Sequence, residues 1–267
     1  MKSNQQQVQC MICGGASNLH FKAQVLNKYD VNYYHCEDCL FLQTEKPFWL
    51  VEAYSESINL SDTGIMVRNI NLSQITTLIV YFFYDKKKSF LDFAGGYGAL
   101  TRMLRDIGFD FYWMDKFSNN LLARGFEHNS INQYELVTAF EAFEHFEYPL
   151  KEIERILELT DSILFSTDLT SEVIPKPTEW WYYGLDHGQH ISFFNKKTLE
   201  YIAKKYQLNL YTNNSSVHLL TRKEINKYFF WFVMKLNRLG IFYFIRFFLS
   251  SKTGTDMSEI ISKLNTK

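Results

Sequence analysis

From 61 to 83 apolar residues return at Ile65, Ile70, Leu72, Ile75, Leu78, Ile79 and Phe82, a spacing that fits a helical face better than a strand, and the run Asp85, Lys86, Lys87, Lys88 closes it. The pattern then shortens. Residues 89–93 make one apolar run, 94–98 is rich in glycine, 100–107 returns to the helical period, and 111–114 is a second short run ending at Asp115. Strand, glycine loop, helix and strand in that order predict the opening of an α/β fold. Runs at 123–127, 135–140 and 162–167 predict a third, fourth and fifth strand, 149–159 a helix with Pro149 in its first turn, and 216–221 the final strand. Between 168 and 189, Pro175 and Pro177 argue against a regular element over the first half, and Trp180, Trp181, Tyr182 and Tyr183 make a dense aromatic patch.

A chain of 267 residues, 46% hydrophobic, can bury a large core in one or two domains. Its 28 basic and 29 acidic residues nearly cancel, so it lacks the electrostatic footprint of a general nucleic-acid binder. That excludes DNA as an expected partner and disfavours RNA. The N-terminal MKSNQQQVQ has no apolar core of a signal peptide, and no stretch of about 20 residues is free of charge as a spanning helix requires. Both features predict a cytoplasmic, soluble protein.

All four cysteines fall in the first 39 residues, as two C-x-x-C pairs: Cys10 with Cys13, and Cys36 with Cys39. Each pair can present two thiolates from one tight turn, and the spacing between pairs matches a four-cysteine zinc site. Gly14 and Gly15 help the chain turn. Disulfides are the alternative, and they fit a cytoplasmic chain poorly. Four thiolates close the coordination shell, so the predicted zinc is structural, and residues 1–45 form a small metal-held module.

The segment DFAGGYG (92–98) matches the D-x-G-x-G-x-G loop of class I S-adenosylmethionine-dependent methyltransferases, with Ala94 in place of the first glycine. Gly96 and Gly98 let backbone approach a ligand closely. Asp115, 17 residues beyond Gly98, stands where an acid at the end of the second strand binds both ribose hydroxyls. From about 60 to 221 the chain resembles that family, and with the cysteine module ahead of it, the sugar- and polysaccharide-modifying members most. The resemblance implies a Rossmann-like, mostly parallel seven-stranded sheet with helices on both faces, 168–189 as a lid insertion, and 222–267 as a helical tail. It also implies S-adenosylmethionine bound by Asp92, Ala94, Gly95, Gly96, Gly98, Asp115 and Phe140, and a small-molecule or glycan acceptor.

The segment EAFEH (141–145) follows the fourth strand. In the ubiquinone-pathway and small-RNA 2′-O-methyltransferases of that superfamily, E-x-x-E-H with a distant histidine holds a divalent metal that activates the acceptor hydroxyl. Glu141, Glu144 and His145 match it residue by residue, with His187 or His190 as the distant partner and magnesium or manganese as the ion. On one helical turn these i, i+3 and i+4 side chains would share a face. The plainer use is that Glu144 and Glu147 start a helix, favoured by its dipole, while His145 makes a core hydrogen bond. His190 also occupies the position of the general base in sugar methyltransferases, and an imidazole accepts a hydroxyl proton near neutral pH with little tuning. Gln189 stands where the C-methylating members carry a carboxylate, which favours O-methylation with His190, His145 and Glu144 as the catalytic set.

Other readings stay open: an RNA methyltransferase with a zinc RNA-binding module, a sugar C-methyltransferase, or a non-catalytic cofactor-binding partner. With no cysteine after residue 39, the cysteine-nucleophile chemistry of 5-methylcytosine formation is excluded. Beyond the last strand, 227–248 combines Lys227, Lys235, Arg238 and Arg246 within one helical arc with many aromatics. It is too charged to span a bilayer; it predicts either a helix at a membrane surface or one packed on the domain or on a second subunit, and Gly240 is a place for it to break.

Overall fold

The computed structural model describes residues 7–55, 59–60, 62–129 and 133–265. The first six residues of the expected cysteine module, position 61 at the start of the expected helix, and the last two residues of the expected tail lie outside them.

The elements run β1 (Gln7–Gln9), β2 (Ala16–Val25), β3 (Tyr29–Cys36), β4 (Leu42–Thr44), α1 (Leu50–Ala53), α2 (Ile65–Phe83), β5 (Ser89–Phe93), α3 (Ala99–Ile107), β6 (Asp110–Met114), β7 (Leu136–Ala139), α4 (Pro149–Leu157) and β8 (Ser162–Ser166). There follow β9 (Ser192–Phe193), α5 (Lys196–Lys205), β10 (Asn209–Thr212), β11 (Val217–Thr221), α6 (Lys227–Arg238), α7 (Ile241–Arg246) and α8 (Thr253–Asn265). Two sheets result, one ordered β1-β2-β3-β4-β9 and one ordered β10-β11-β8-β7-β5-β6. The second is the α/β sheet foreseen from the sequence. β5 pairs in parallel with β6 and β7, and β10 with β11 form an antiparallel edge.

Among the described residues this sheet has six strands, not seven. The run at 123–127, expected as a third strand, contributes one isolated bridge, Trp113 to Glu127. The cause is local: Gly125 turns with φ +90°, and the Glu127 carboxylate accepts from its N–H and from Asn120 Nδ2, so side-chain bonding competes with a ladder.

The chain divides into two compact units: Leu60–Ala139, Glu158–Leu164 and Lys223–Lys267 in one, and Met1–Asn59, Phe140–Leu157 and Phe165–Arg222 in the other. In the first, Phe90, Leu91, Asp92 and Phe93 are all buried, as a central parallel strand covered on both faces requires. β5 lies between β6 and β7, so the strand order reverses there. Its carboxyl end is a topological switch point, where ligands of open α/β sheets bind. α8 is anchored in the same unit by Asp256, which accepts from the buried Arg105 at 2.8 Å and from Arg102 at 2.9 Å.

The second unit is built on the cysteine strands. β4 pairs antiparallel with β9, Leu42 opposite Phe193, so the sheet begun by the cysteine segment is completed by the strand that follows His190. Val31, Tyr33, Leu42, Trp49, Tyr183 and Phe193 share one buried cluster. Trp49 Nε1 donates to the Gly188 carbonyl at 2.8 Å, and Thr198 Oγ1 to the Cys39 carbonyl at 2.8 Å.

Candidate active site

The loop after β5 makes a tight cradle. Ala94, Gly96 and Gly98 all have positive φ, at 57°, 52° and 85°. At Gly98, the N-cap of α3, a Cβ would also meet Asn120 Oδ1 at 2.7 Å. At Gly96 the space a Cβ would enter is open for 4 Å, a cradle a ligand can fill. Ala94 sits in the left-handed region at a cost that explains why the related loop carries glycine there.

Three side chains brace the loop. Asp115 Oδ2 accepts from the Gly96 N–H at 2.9 Å, and its Oδ1 from the N–H groups of Phe117 and Ser118, both at 2.7 Å. Trp113 Nε1 donates to the Gly96 carbonyl at 2.9 Å. Asp92 is buried; its oxygens accept from Thr101 Oγ1 and Thr138 Oγ1, each at 2.9 Å. Burial, eased by the two threonines, raises its pKa to about 6. Asp92, Ala94, Gly95, Gly96, Gly98 and Asp115 are therefore brought together. Phe140 is buried just past β7. Trp113, Thr101 and Thr138 were missed; a polar residue inside a strand run, as at Thr138, is the only signal the sequence offered.

The second cluster differs from the expected helical face. Glu141 has φ +49°, and only 143–145 form a single 3-10 turn, so Glu141 does not share a face with Glu144 and His145. Its carboxylate instead accepts from Ser166 Oγ at 2.6 Å, and that hydroxyl oxygen accepts from the Glu141 N–H at 2.8 Å. The helix begins later, at Pro149. What does converge is Glu144, His145 and His190, with one potential ligand atom from each lying within 4.8 Å of the others. The distant histidine in this set is His190; His187 Nδ1 accepts from the Gln189 N–H at 3.1 Å.

Both imidazoles are held at Nδ1. His190 Nδ1 lies 2.6 Å from the Tyr182 carbonyl, and His145 Nδ1 lies 3.0 Å from the Gln189 carbonyl and 2.9 Å from Tyr54 Oη. A carbonyl can only accept, so the His190 Nδ1 carries the proton and the neutral ring presents Nε2 as its accepting nitrogen, whereas at His145 the Tyr54 hydroxyl can either donate to Nδ1 or accept from it. Glu144 is fully buried with neither carboxylate oxygen in a hydrogen bond. The Tyr182 and Thr167 hydroxyls stand near enough to ease its charge slightly, yet burial and then the charge of Glu141 push its pKa well above the usual range. Burial likewise raises Tyr182, with Glu144 and Glu141 adding to it. An orphaned carboxyl beside two imidazoles, with the His145 Nε2 4.0 Å away, suits either a shared proton or a divalent cation. Tyr54 and Ser166 join this site with no pattern in the sequence to announce them, and Tyr182 reaches it from the aromatic patch at 180–183.

Of the aromatic patch, Tyr182 and Tyr183 are core, and only Trp181, 78% exposed, faces solvent. The cysteines gather as spaced: the sulfurs of Cys10 and Cys39 are 3.5 Å apart, those of Cys13 and Cys36 3.4 Å, with no bridge between any pair. All four fall within 4.8 Å of one another, and zinc–thiolate bonds of ~2.3 Å put the edge of a tetrahedron at roughly 3.8 Å. The N–H groups of Ile12 and Gly15 point at the Cys10 and Cys13 sulfurs at 3.4 Å, as in a knuckle that holds thiolates.

A family described as Methyltransferase domain matches residues 68–213. No curated protein matches the sequence. Among solved structures, the plantazolicin methyltransferase BpumL in complex with SAH is 13% identical, with 67% of this chain and 95% of that chain covered at a TM-score of 0.48. The PH0226 protein from Pyrococcus horikoshii OT3 is 17% identical, with 62% and 94% covered at 0.41. Magnesium protoporphyrin IX methyltransferase from Synechocystis PCC 6803, with bound SAM, is 13% identical, with 66% and 93% covered at 0.38.

Proposed function

We propose, for a chain that belongs to the methyltransferase-domain family, that it methylates a hydroxyl group of a sugar or glycan. It is an S-adenosylmethionine-dependent methyltransferase. The observation that carries the finer reading is a pair of imidazoles beside a buried carboxyl, with the His190 Nδ1 proton committed to the Tyr182 carbonyl.

The 92–98 loop and Asp115 fit the cofactor: Gly96 leaves an open cradle and Asp115 supplies a partly exposed carboxylate at the strand end. When bound, the cofactor supplies an electrophilic methyl group. In this reading His190 Nε2 accepts the acceptor hydroxyl's proton, and the Tyr182 carbonyl keeps the ring in the tautomer that can do so. His145 and Glu144 stand behind it, able to stabilise the imidazolium that forms. Trp181 offers a face on which a pyranose ring can stack. Gln189 is committed to the Ala53 carbonyl at 2.8 Å and is no acid for carbon methylation. The four cysteines hold a structural zinc that keeps β4, and with it β9 and His190, in place.

A second reading has the same residues in a different role. Glu144, His145 and His190 would hold a divalent cation, which would lower the pKa of a coordinated hydroxyl. The orphaned Glu144 carboxyl favours it; Glu141 is no longer part of the set.

The test is incubation with methyl-labelled S-adenosylmethionine and a panel of nucleotide-linked sugars, with the product read by NMR. An O-methyl signal supports the proposal, and label on carbon or in RNA overturns it. Activity lost in EDTA and restored by Mg²⁺ or Mn²⁺ selects the metal reading; activity that survives EDTA selects the base alone.

A further inference from the structure

Residues 225–252 carry five basic residues, no acidic one and ten aromatic rings, in a chain of net charge −1. That leaves −6 on the rest. The expected single basic arc is not what folds. Gly240, in the left-handed region at φ +73°, ends α6 and starts α7, so the charges lie on two short helices.

The helices bury little of themselves. In α6 only Phe230 and Val233 are buried, and in α7 only Ile245. Phe229 and Phe230 pack on the Phe82 and Phe83 rings of α2. Many of the other large side chains face outward: Tyr228 is 74% exposed, Leu239 79% and Phe247 87%, with Trp231, Phe232 and Phe244 each half-exposed or more. So many exposed rings in one segment exceed the scattered apolar residues of an ordinary surface. Lys235 Nζ lies 3.6 Å from the Trp231 ring centroid, which joins cation and aromatic in one unit.

We propose that this surface docks on an anionic lipid interface. Rings with cations among them and no carboxylate suit the headgroup boundary, where aromatics sit at depth and lysine and arginine meet lipid phosphates. A second copy of the chain fits worse. Lys252 is paired with Asp110 and Arg246 is held by the Leu249 and Asp106 carbonyls, which leaves Lys227, Lys235 and Arg238 as the cations of the patch; a two-fold interface sets the patch against itself, so these like charges would face one another. Insertion across the bilayer is not involved; among the described residues no helix is long and apolar enough to cross one. Vesicle binding is read without any methyl acceptor, so this inference stands or falls apart from the function proposed above.

The experiment is flotation of the full chain with vesicles of phosphatidylcholine alone or mixed with phosphatidylglycerol. The chain should float only with the anionic vesicles, and about 0.5 M NaCl, which shortens the screening length, should release it. Lys227→Glu/Lys235→Glu/Arg238→Glu should lower partitioning on the order of 100-fold, and Trp231→Ser/Phe232→Ser should lower it too, both with S-adenosylmethionine affinity unchanged as the sign of an intact fold. A chain that stays at the bottom with anionic vesicles at low salt overturns the inference. So does equal binding to neutral vesicles, or a dimer that these substitutions dissociate while no vesicle is bound.

Discussion

The 92–98 loop and the Glu144–His145–His190 cluster are built by opposite means. In the loop, every brace comes from nearby in sequence or from the paired strands: Asp115 and Trp113 from the end of β6, Thr101 from the following helix, Thr138 from β7. The cluster is assembled from segments far apart in the chain: Tyr54 after α1, 141–146 after β7, and 182–190 from the insertion, tied by the Ile191 N–H to Glu144 carbonyl bond of 2.9 Å. A locally built site survives distant damage. One assembled across the chain depends on whatever holds its parts in register, and here that includes the cysteine strands, because among the described residues the strand partner of β9 is β4.

The sharpest way to separate the two regions is therefore to remove the cysteines. With Cys36→Ser/Cys39→Ser, elemental analysis should fall from one zinc per chain to none. Because structural zinc contributes on the order of 10 kcal/mol in small domains, the strands at 7–55 should become protease-sensitive. An undiminished resistance to protease would mean the thiols are not a metal site.

Asp115→Ala strikes the loop. It removes the carboxylate that orders Gly96 and that would meet two ribose hydroxyls, and S-adenosylmethionine binding measured by calorimetry should weaken by about 2–4 kcal/mol. An unchanged dissociation constant would take Asp115 out of the site.

Asp92 gives the loop a pH signature. Its folded pKa, about 6, lies above the ordinary value of 3.8, so the protonated form is favoured in the folded state. Its contribution is fully present below about pH 4 and is lost as pH rises through 6. Asp92→Asn should flatten that part of the stability curve and raise stability at pH 7 by at most about 3 kcal/mol in the cofactor-free protein. Thermal melts from pH 4 to 7 check it; parallel curves for the two proteins would show that Asp92 does not titrate there. The smallest effect belongs to Ala94→Gly. Releasing a left-handed alanine outweighs the added freedom of the unfolded chain, for a gain of about 0.5–1 kcal/mol. A lower melting temperature would contradict it.

The same contrast explains what could be read from the chain. The strand–loop–helix–strand order, the switch-point loop and the four cysteines were legible because each is a short-range pattern whose spacing is its geometry. Glu141 misled because E-x-x-E-H assumes a helix, and the left-handed turn at Glu141, with its bond to Ser166, is a tertiary fact. Tyr54 reaches His145 across 91 residues, and no local pattern encodes that. The third strand failed for a third reason: Glu127 and Gly125 satisfy their hydrogen bonds locally and leave a bridge where a ladder was expected.

The central claim is that proton acceptance at His190 is separate from cofactor binding. It is tested by measuring, on His190→Ala, turnover of labelled S-adenosylmethionine with a nucleotide-linked sugar panel alongside the cofactor's dissociation constant. The account predicts turnover lower by about 10²–10⁴-fold, the usual contribution of a general base, with the dissociation constant unchanged. Full turnover, or a loss of cofactor affinity that accounts for the whole decline, would contradict it.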